Sequence, residues 1–334
     1  MTAVRDLLGR PLRDLRISVT DRCNFRCTYC MPREAFGPGH RYIPNDELLS
    51  FDEIVSVAAA FTALGARKIR ITGGEPLLRE GVVDLVARIA AVPGVEDLTM
   101  STNGALLAGK AAALAEAGLG RVTVSLDALD DPTFRAMSDV GLPAATVLEA
   151  IEAAAAAGLG PVKVNAVVRR GVNEHAVLEL ADRFRGTGHI LRFIEYMDVG
   201  ATNGWRLDDV ATAEEVLAAV HEVFPLQAVE PNYPGEAAGR FRYVDGQGEI
   251  GVIASVTKPF CGSCTRARVS AEGVLYTCLF ASEGADLRAA MRSGEDVAEV
   301  VAGVWASRGD RYSELRSAAA PRLAVPVEMS YIGG

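Results

Sequence analysis

The chain has few histidines, no excess of basic charge and no long apolar run, and these shortages argue against several classes of protein. The formal net charge is −9 at pH 7, so a general nucleic-acid binder is not expected, whereas the small share of lysine, four of 34 basic residues, excludes nothing by itself. No apolar run reaches the roughly eighteen residues of a membrane span. Residues 1–10 are charged and contain no hydrophobic stretch, so no signal peptide is expected. The six cysteines fall into two groups of three, which favours metal ligation in a reducing cytoplasm over disulfides.

Six short β-rich runs alternate with helical segments in the first two thirds of the chain. The runs cover residues 15–19, 68–72, 97–101, 121–125, 162–168 and 189–195. Most are largely apolar, as expected of strands that are buried on both faces. Ser50 and Glu53 predict a capping box at the start of the first helix. Six βα units predict a parallel sheet, but eight are needed to close the standard barrel. We therefore predict an α/β fold, an incomplete (β/α)6 TIM-like barrel that is open on one side.

The pattern changes after about residue 205. Residues 241–244 and 248–255 predict a hairpin around Asp245-Gly246, and residues 285–291 and 297–308 predict two helices. We therefore predict a barrel domain over residues 1–205 and an α+β extension over residues 206–334.

Cys23, Cys27 and Cys30 have the spacing C-x3-C-x2-C, with Tyr29 between the last two. Three thiolates can hold three irons of a four-iron cluster and leave the fourth iron open, whereas ferredoxins close all four positions with cysteine. A structural zinc site is the alternative, but it needs four ligands, and no histidine lies within nine residues. The pattern favours an open cluster that binds a further molecule.

The candidate residues for chemistry follow the ends of the predicted strands. Cys23 follows the first strand, Gly73 the second, Asn103 the third and Asp127 the fourth. The loops at the carboxyl ends of the strands form the active site of a βα barrel. These residues are therefore expected to meet.

Cys261, Cys264 and Cys278 form a second group of three. They predict either a second open four-iron cluster or a structural zinc site that takes a distant histidine as its fourth ligand. If the intervening segment is extended, Arg266 and Arg268 project from one face. Two guanidinium groups beside a metal centre suit a multiply charged phosphate, although an isolated pair of this kind is more often a solvated surface feature.

The first triad, followed by Gly73-Gly74-Glu75-Pro76, resembles the radical S-adenosylmethionine (SAM) superfamily. With the second triad, its embedded Arg-Ala-Arg and the final Gly333-Gly334, the chain closely resembles the MoaA family of GTP 3′,8-cyclases from about residue 12 to its end. The resemblance implies two 4Fe-4S clusters and SAM as cofactors. It implies conversion of GTP to (8S)-3′,8-cyclo-7,8-dihydroguanosine 5′-triphosphate, with SAM cleaved to 5′-deoxyadenosine and methionine. This reaction is the first step of molybdenum cofactor biosynthesis.

The resemblance also implies roles for individual residues. Cys23, Cys27 and Cys30 would hold the cluster that cleaves SAM, and Cys261, Cys264 and Cys278 the second cluster. The implied SAM contacts are Tyr29, Gly74, Ser125 and Met197. The implied GTP contacts are Arg16, Arg70, Ser101, Lys163, Arg266 and Arg268, with Arg192, Gly333 and Gly334 as weaker candidates. Ser101 departs from the family pattern, in which threonine stands, but a hydroxyl contact would survive the exchange.

The charged strand residues support this assignment independently. Arg70 lies inside the apolar run Ile69-Arg-Ile71, and Lys163 lies in a similar run. A charge in a buried strand is costly unless it is paired, so both side chains should face a polar cavity or a surface.

Two other functions remain open at the level of sequence. One is a radical SAM enzyme that modifies a peptide or protein and carries an auxiliary cluster, although such enzymes tend to have more than three C-terminal cysteines. The other is a non-catalytic iron–sulfur or zinc protein. The expected partners are GTP, SAM and an electron donor, with no nucleic acid and no membrane, and the chain is expected to be a monomer or homodimer.

Overall fold

The computed structural model describes residues 4–316 and 325–333. Within them the strands are β1 Asp14–Ser18, β2 Lys68–Thr72, β3 Asp97–Thr102, β4 Arg121–Ser125, β5 Lys163–Val168, β6 Ile190–Glu195, β7 Leu226–Val229, β8 Gly239–Tyr243, β9 Glu249–Ile253, β10 Arg266–Val269, β11 Val274–Tyr276 and β12 Ala285–Asp286. The helices are α1 Phe51–Ala63, α2 Val82–Ala90, α3 Ala111–Glu116, α4 Asp131–Ser138, α5 Ala144–Ala156, α6 Val177–Phe184, α7 Ala213–Val223, α8 Leu287–Ser293, α9 Val297–Ala306, α10 Tyr312–Leu315 and α11 Met329–Ile332.

All described strands belong to one sheet, in the order β12-β11-β10-β1-β2-β3-β4-β5-β6-β9-β8-β7. Strands β1 to β6 are parallel neighbours in chain order, which confirms the predicted six-stranded core. No pairing joins β12 to β7 in the described part of the chain, so the sheet stays open as predicted.

The residues after 205 extend this sheet at both edges. Strand β10 pairs in parallel with β1, and β9 pairs in parallel with β6. Strands β8 and β9 form the predicted hairpin, and β11 is antiparallel to β10. The boundary at residue 205 stays a prediction, since one sheet contains strands from both sides of it.

The central strands are largely buried on both faces, as predicted, but one of the two faces is polar. In β2, Ile69 and Ile71 are fully buried in the main core, whereas Lys68, Arg70 and Thr72 line a cavity on the other face. The strand period of two separates the two sets. The apolar face holds the helices through side-chain burial, at about 1.5–3 kcal/mol for each large aliphatic residue. The polar face is free to form a site.

The local signals in the sequence were accurate at most element ends. The Ser50–Glu53 capping box is present at the start of α1, with both of its hydrogen bonds. The helix predicted over 285–291 was wrong at its first two residues, because Ala285 and Asp286 pair with β11. None of the helices in the described residues is both long enough and apolar enough to cross a bilayer.

Candidate functional site

All six cysteines are free thiols and line one cavity. The cavity also contains residues that follow β2, β3 and β4, among them Gly73, Asn103 and Asp127. The carboxyl ends of the parallel strands therefore meet the second cysteine group across a single space.

The first triad lies in a loop held by backbone and side-chain contacts. The Phe25 N–H and the Asn103 amide donate to Cys23 Sγ, at 3.4 and 3.7 Å. The Arg26 guanidinium donates to the Cys23 carbonyl at 2.8 Å and to the Phe36 carbonyl at 2.8 Å. Burial raises the pKa of all three thiols, that of Cys23 to about 11. A metal centre that binds here would therefore have to displace the thiol protons.

Tyr29 and Met197, both implied SAM contacts, are held by a common set of hydrogen bonds, here called the Tyr29–Met197 scaffold. The Tyr29 hydroxyl donates to Asp127 Oδ2 at 2.9 Å, and Asp127 Oδ1 accepts from the Val167 N–H at 2.9 Å. The Asn203 amide donates to the Met197 carbonyl at 2.9 Å and to the Tyr29 carbonyl at 3.5 Å. Ser125 and Met197 both line the cavity.

The Gly73-Gly74 turn lies directly against the backbone that leads into the first triad. The Gly74 N–H donates to the Thr20 carbonyl at 2.8 Å, and a Cβ on Gly74 would come within 2.4 Å of the Arg22 carbonyl oxygen. Only glycine fits this approach.

Glu75 joins this turn to the end of β3. Its buried carboxylate accepts from the Leu77 N–H, the Thr102 hydroxyl and the Asn103 N–H, at 2.7–3.0 Å. Burial raises its pKa to about 7 against the effect of these hydrogen bonds. The Gly-Gly-Glu-Pro motif therefore supplies both the tight turn and the link that places Asn103 beside Cys23.

The second triad has an electrostatic environment unlike the first. Burial raises the pKa of Cys278 to about 11. At Cys264 burial acts against the positive charges of Arg266 and Arg308, which lower its pKa to about 6. The Arg266 guanidinium also donates to Cys264 Sγ at 3.2 Å. Cys264 is thus prepared to act as a thiolate ligand.

The zinc alternative needs a fourth ligand at one of the triads. No histidine lines the cavity. The four histidines contact other residues: His40 lies against Phe36 and Tyr42, His175 bonds Thr133, His189 packs on Phe184 and His221 accepts from the Leu226 N–H. Among the described residues, no three histidine, cysteine or acidic side chains are grouped to hold a single ion. The zinc site with a distant histidine that the sequence left open for the second triad therefore has no histidine at the cavity.

Three arginines on adjacent strands, here called the arginine row, line the cavity. Arg268, Arg16 and Arg70 are register partners on the adjacent strands β10, β1 and β2. Burial and then the charges of Arg268 and Arg70 lower the pKa of Arg16 well below its usual range. Burial, together with a neighbouring arginine in each case, lowers the pKa of Arg70 and Arg268 to about 10. Like charges on neighbouring strands are destabilising, so a bound anion would stabilise the row.

Further cations surround this row. Arg70 donates to the Ser101 and Thr123 hydroxyls at 3.0 and 2.9 Å. Arg192 donates to Asn165 Oδ1 at 2.9 Å. Burial and the charge of Arg192 lower the pKa of Lys163 to about 7.

Lys68 and Tyr233 line the same cavity but were missed by the sequence analysis. The Lys68 ammonium donates to the Tyr233 hydroxyl at 3.1 Å, and burial with the charge of Arg70 lowers its pKa to about 8. Lys68 could have been found, because it lies two residues before Arg70 and so shares its strand face. Tyr233 lies in an irregular loop, and the sequence held no signal for it.

The C-terminal segment also reaches the site. The Arg268 guanidinium donates to the Gly333 carbonyl, and Gly333 has a φ of 72° and lies against Thr72. Met329 and Ser330 line the cavity. Gly334 lies outside the described residues. Every other predicted site residue lines the cavity or, in the case of Gly333, contacts residues that line it.

Comparison with known proteins gives two family matches and close relatives. Residues 17–184 match the model of the Radical SAM superfamily, and residues 189–314 match that of Molybdenum Cofactor Synthesis C. The chain is 54% identical to a protein of Acidothermus cellulolyticus named GTP 3′,8-cyclase, with 99% of each chain covered. It is 52% identical to a protein of the same name from Xanthomonas axonopodis pv. citri, with 100% of each covered.

Solved structures support the fold. The crystal structure of Streptococcus suis SuiB bound to S-adenosylmethionine is similar over 92% of this chain and 71% of that one, with a TM-score of 0.64 and 13% identity. At this identity the likeness concerns the fold alone.

Proposed function

The chain belongs to the radical SAM superfamily and, within it, to the family of GTP 3′,8-cyclases, and we propose that it converts GTP to the 3′,8-cyclised dihydroguanosine triphosphate in the first step of molybdenum cofactor biosynthesis. The observation that supports this most strongly is that two groups of three cysteines and the arginine row line one cavity.

Cys23, Cys27 and Cys30 would hold a four-iron cluster. When bound, that cluster would supply the electron for reductive cleavage of SAM, whose 5′-deoxyadenosyl radical would take hydrogen from C3′ of GTP. Bonding of C3′ to C8 of the guanine would leave a purine radical that needs one further electron and a proton. The protein holds and shields these reactants. The backbone of Gly74 would receive the SAM ammonium group, and the Tyr29–Met197 scaffold would shape the opposite wall. Ser125 would contribute a hydroxyl at the end of β4.

Cys261, Cys264 and Cys278 would hold a second four-iron cluster with one open iron. That iron would anchor the guanine base, while the arginine row and Lys163 take the triphosphate. Both ends of one GTP molecule are then fixed. Holding C3′ and C8 of the bound GTP in register is catalysis by positioning.

The proposal is tested by anaerobic incubation of the reconstituted chain with GTP, SAM and a reductant, followed by mass analysis. We expect 5′-deoxyadenosine and a cyclised product with the mass of GTP. We also expect about eight irons per chain, from two four-iron clusters. Deoxyadenosine release without a GTP-derived product and without GTP binding would favour the peptide-modifying alternative. Four irons with zinc making up the rest would overturn the second cluster.

The affinity for GTP should fall as the pH rises above about 7. Burial and Arg192 lower the pKa of Lys163 to about 7 in the free protein, so its charge is lost early. Bound triphosphate favours the protonated form and raises that pKa. The contribution of Lys163 to the affinity for GTP is therefore constant below pH 7. Above pH 7 it decreases by up to about tenfold per pH unit. Calorimetric titration with GTP between pH 7 and 9 measures the slope.

Lys163→Gln should flatten this pH slope, and what remains should come from Lys68, whose pKa is about 8. Lys110→Gln is the matched control, because Lys110 precedes α3 and does not line the cavity. An unchanged slope in Lys163→Gln would remove Lys163 from the triphosphate site.

The reaction also needs an external electron donor. We propose a cytoplasmic location, supported by six free cysteines that need a reducing environment. Monomer and homodimer remain the predicted states.

A further inference from the structure

A buried ionic cluster connects the N-terminal segment and the end of α9 to the second cysteine triad. Asp6 accepts from Arg10 Nε and, at 3.3 Å, from Arg308 Nη1. The side chains of Asp6, Arg10 and Arg308 are between 0 and 2% exposed. One carboxylate thus holds two guanidinium groups in the protein interior.

Both guanidinium groups also donate to backbone carbonyls of the cysteine loop, Arg10 through a different nitrogen from the one that bonds Asp6 and Arg308 through the same one. Arg10 Nη1 donates to the Cys261 carbonyl at 2.7 Å, and Arg308 Nη1 donates to the Cys264 carbonyl at 2.8 Å. The third cysteine is reached through Asp310, which accepts from Arg308 Nε at 3.3 Å and from the hydroxyl of Thr277, the residue before Cys278. All three ligand segments are therefore tied to one network.

Trp305 packs against the network of Asp6, Arg10 and Arg308. Its indole N–H donates to the Arg10 carbonyl at 3.1 Å, and the Arg308 guanidinium lies 4.5 Å from its ring centroid. Trp305 itself is 1% exposed. Trp305 therefore contacts both arginines of the network.

Packing alone does not account for this arrangement. Buried ion pairs contribute little net stability compared with apolar residues of the same volume, because removing both charges from water is costly. Their geometry is directional, however, and it is directed here at two cysteine carbonyls. The first triad has a similar contact, since Arg26 Nη1 donates to the Cys23 carbonyl at 2.8 Å.

We propose that Asp6, Arg10 and Arg308 are positioning residues that preorganise the Cys261–Cys264 loop for its metal cluster. This inference rests on the second cluster proposed above. The network holds the loop before the cluster binds, so binding does not have to order it. If either guanidinium is removed, the backbone carbonyl of one cysteine loses a hydrogen bond, and the Asp6 carboxylate loses one of its two cationic partners.

The test is iron retention by full-length Arg308→Gln after anaerobic reconstitution. We expect the iron content to fall from about eight toward about four per chain, with deoxyadenosine formation from SAM retained. Arg308→Lys, which keeps the charge but not the fork, should recover part of the iron. Arg240→Gln is the control for loss of an ion pair elsewhere in the chain, because it breaks a less buried pair with Glu249 in the β8–β9 hairpin and neither residue lines the cavity. It should keep about eight irons.

A second variant tests the same loop without touching the core. Glu314 Oε1 accepts from the Gly262 N–H at 2.7 Å, between Cys261 and Cys264, and its side chain is partly exposed. Glu314→Ala should lose second-cluster iron about twofold faster than the parent chain on exposure to air. If Arg308→Gln does not fold, Arg308→Lys, which keeps the buried charge but loses the fork, tests the network itself, and its iron content should lie below about eight per chain.

The outcomes separate the two proposals. A parent chain with only four irons would overturn the second cluster itself. A parent chain with eight irons, together with unchanged iron retention and an unchanged paramagnetic resonance spectrum in the folded variants, would overturn the positioning role and leave the proposed function standing.

Discussion

Arg16→Gln is expected to lower the affinity for GTP by about 10- to 100-fold while raising the thermal stability of the metal-free chain. Arg16 lies between Arg268 and Arg70 on neighbouring strands, and among the described residues its guanidinium has no carboxylate within ion-pair distance. A hydrogen bond to a charged group contributes about 1.5–3 kcal/mol, which corresponds to the expected loss of affinity. Anaerobic calorimetry with GTP measures that loss.

The gain in stability has the same physical origin. Burial and the charges of Arg268 and Arg70 lower the pKa of Arg16 because its charged form is unfavourable in the free protein. Removing that charge relieves the repulsion, by roughly 1 kcal/mol, or about 2 °C in the unfolding temperature. Differential scanning calorimetry of the metal-free chain measures this shift.

Arg13→Gln is the matched control for Arg16→Gln. It removes the same charge three residues earlier, from an exposed side chain. Neither GTP affinity nor stability should change appreciably. If Arg16→Gln bound GTP as tightly as the parent chain, the arginine row could not be the triphosphate site.

The structure changes the choice of variants for the other arginines. Arg266 and Arg268 together would be an obvious pair to remove, but Arg266 donates to Cys264 Sγ and helps to lower the pKa of that thiol. Removing it would disturb the second triad as well as the phosphate site. Arg16 has no such contact, which makes its effect on GTP easier to interpret.

Local sequence patterns predicted the central fold because each βα unit is formed by neighbouring residues. Strands such as Lys68–Thr72 and Arg121–Ser125 were predicted at their observed bounds. The hairpin at one edge was predicted, but the attachment of the edge strands to the core was not, because β10 pairs with β1 across some 250 residues of sequence. No periodicity encodes such a pairing.

The same distinction holds at the site. The cysteine spacings predicted two triads, and the ends of the strands predicted that Gly73 and Asn103 would meet the first. The network of Asp6, Arg10 and Arg308 could not be predicted, because its members lie at opposite ends of the chain and none belongs to a motif. The resemblance implied which residues bind which ligand, and the structure shows the hydrogen bonds that hold those residues in place.

Cys27→Ser is expected to abolish SAM cleavage while leaving GTP binding intact. Cys27 is one of only three side chains that would hold the first cluster, and a neutral serine hydroxyl is a poor replacement for an iron-bound thiolate. The exchange is nearly isosteric, and the loop keeps its backbone bonds, including that from the Met31 N–H to the Cys27 carbonyl at 2.9 Å. Iron should fall to about four per chain. Deoxyadenosine, measured by chromatography after anaerobic incubation with SAM and a reductant, should not form.

Cys278→Ser provides the complementary control. It should also reduce the iron to about four per chain, but SAM should still be cleaved to deoxyadenosine, and no cyclised GTP should form. The opposite losses would assign radical formation to the first triad and substrate anchoring to the second, although both triads line one cavity. Continued deoxyadenosine production by Cys27→Ser, or normal cyclisation by Cys278→Ser, would show that the corresponding triad does not have the role proposed for it.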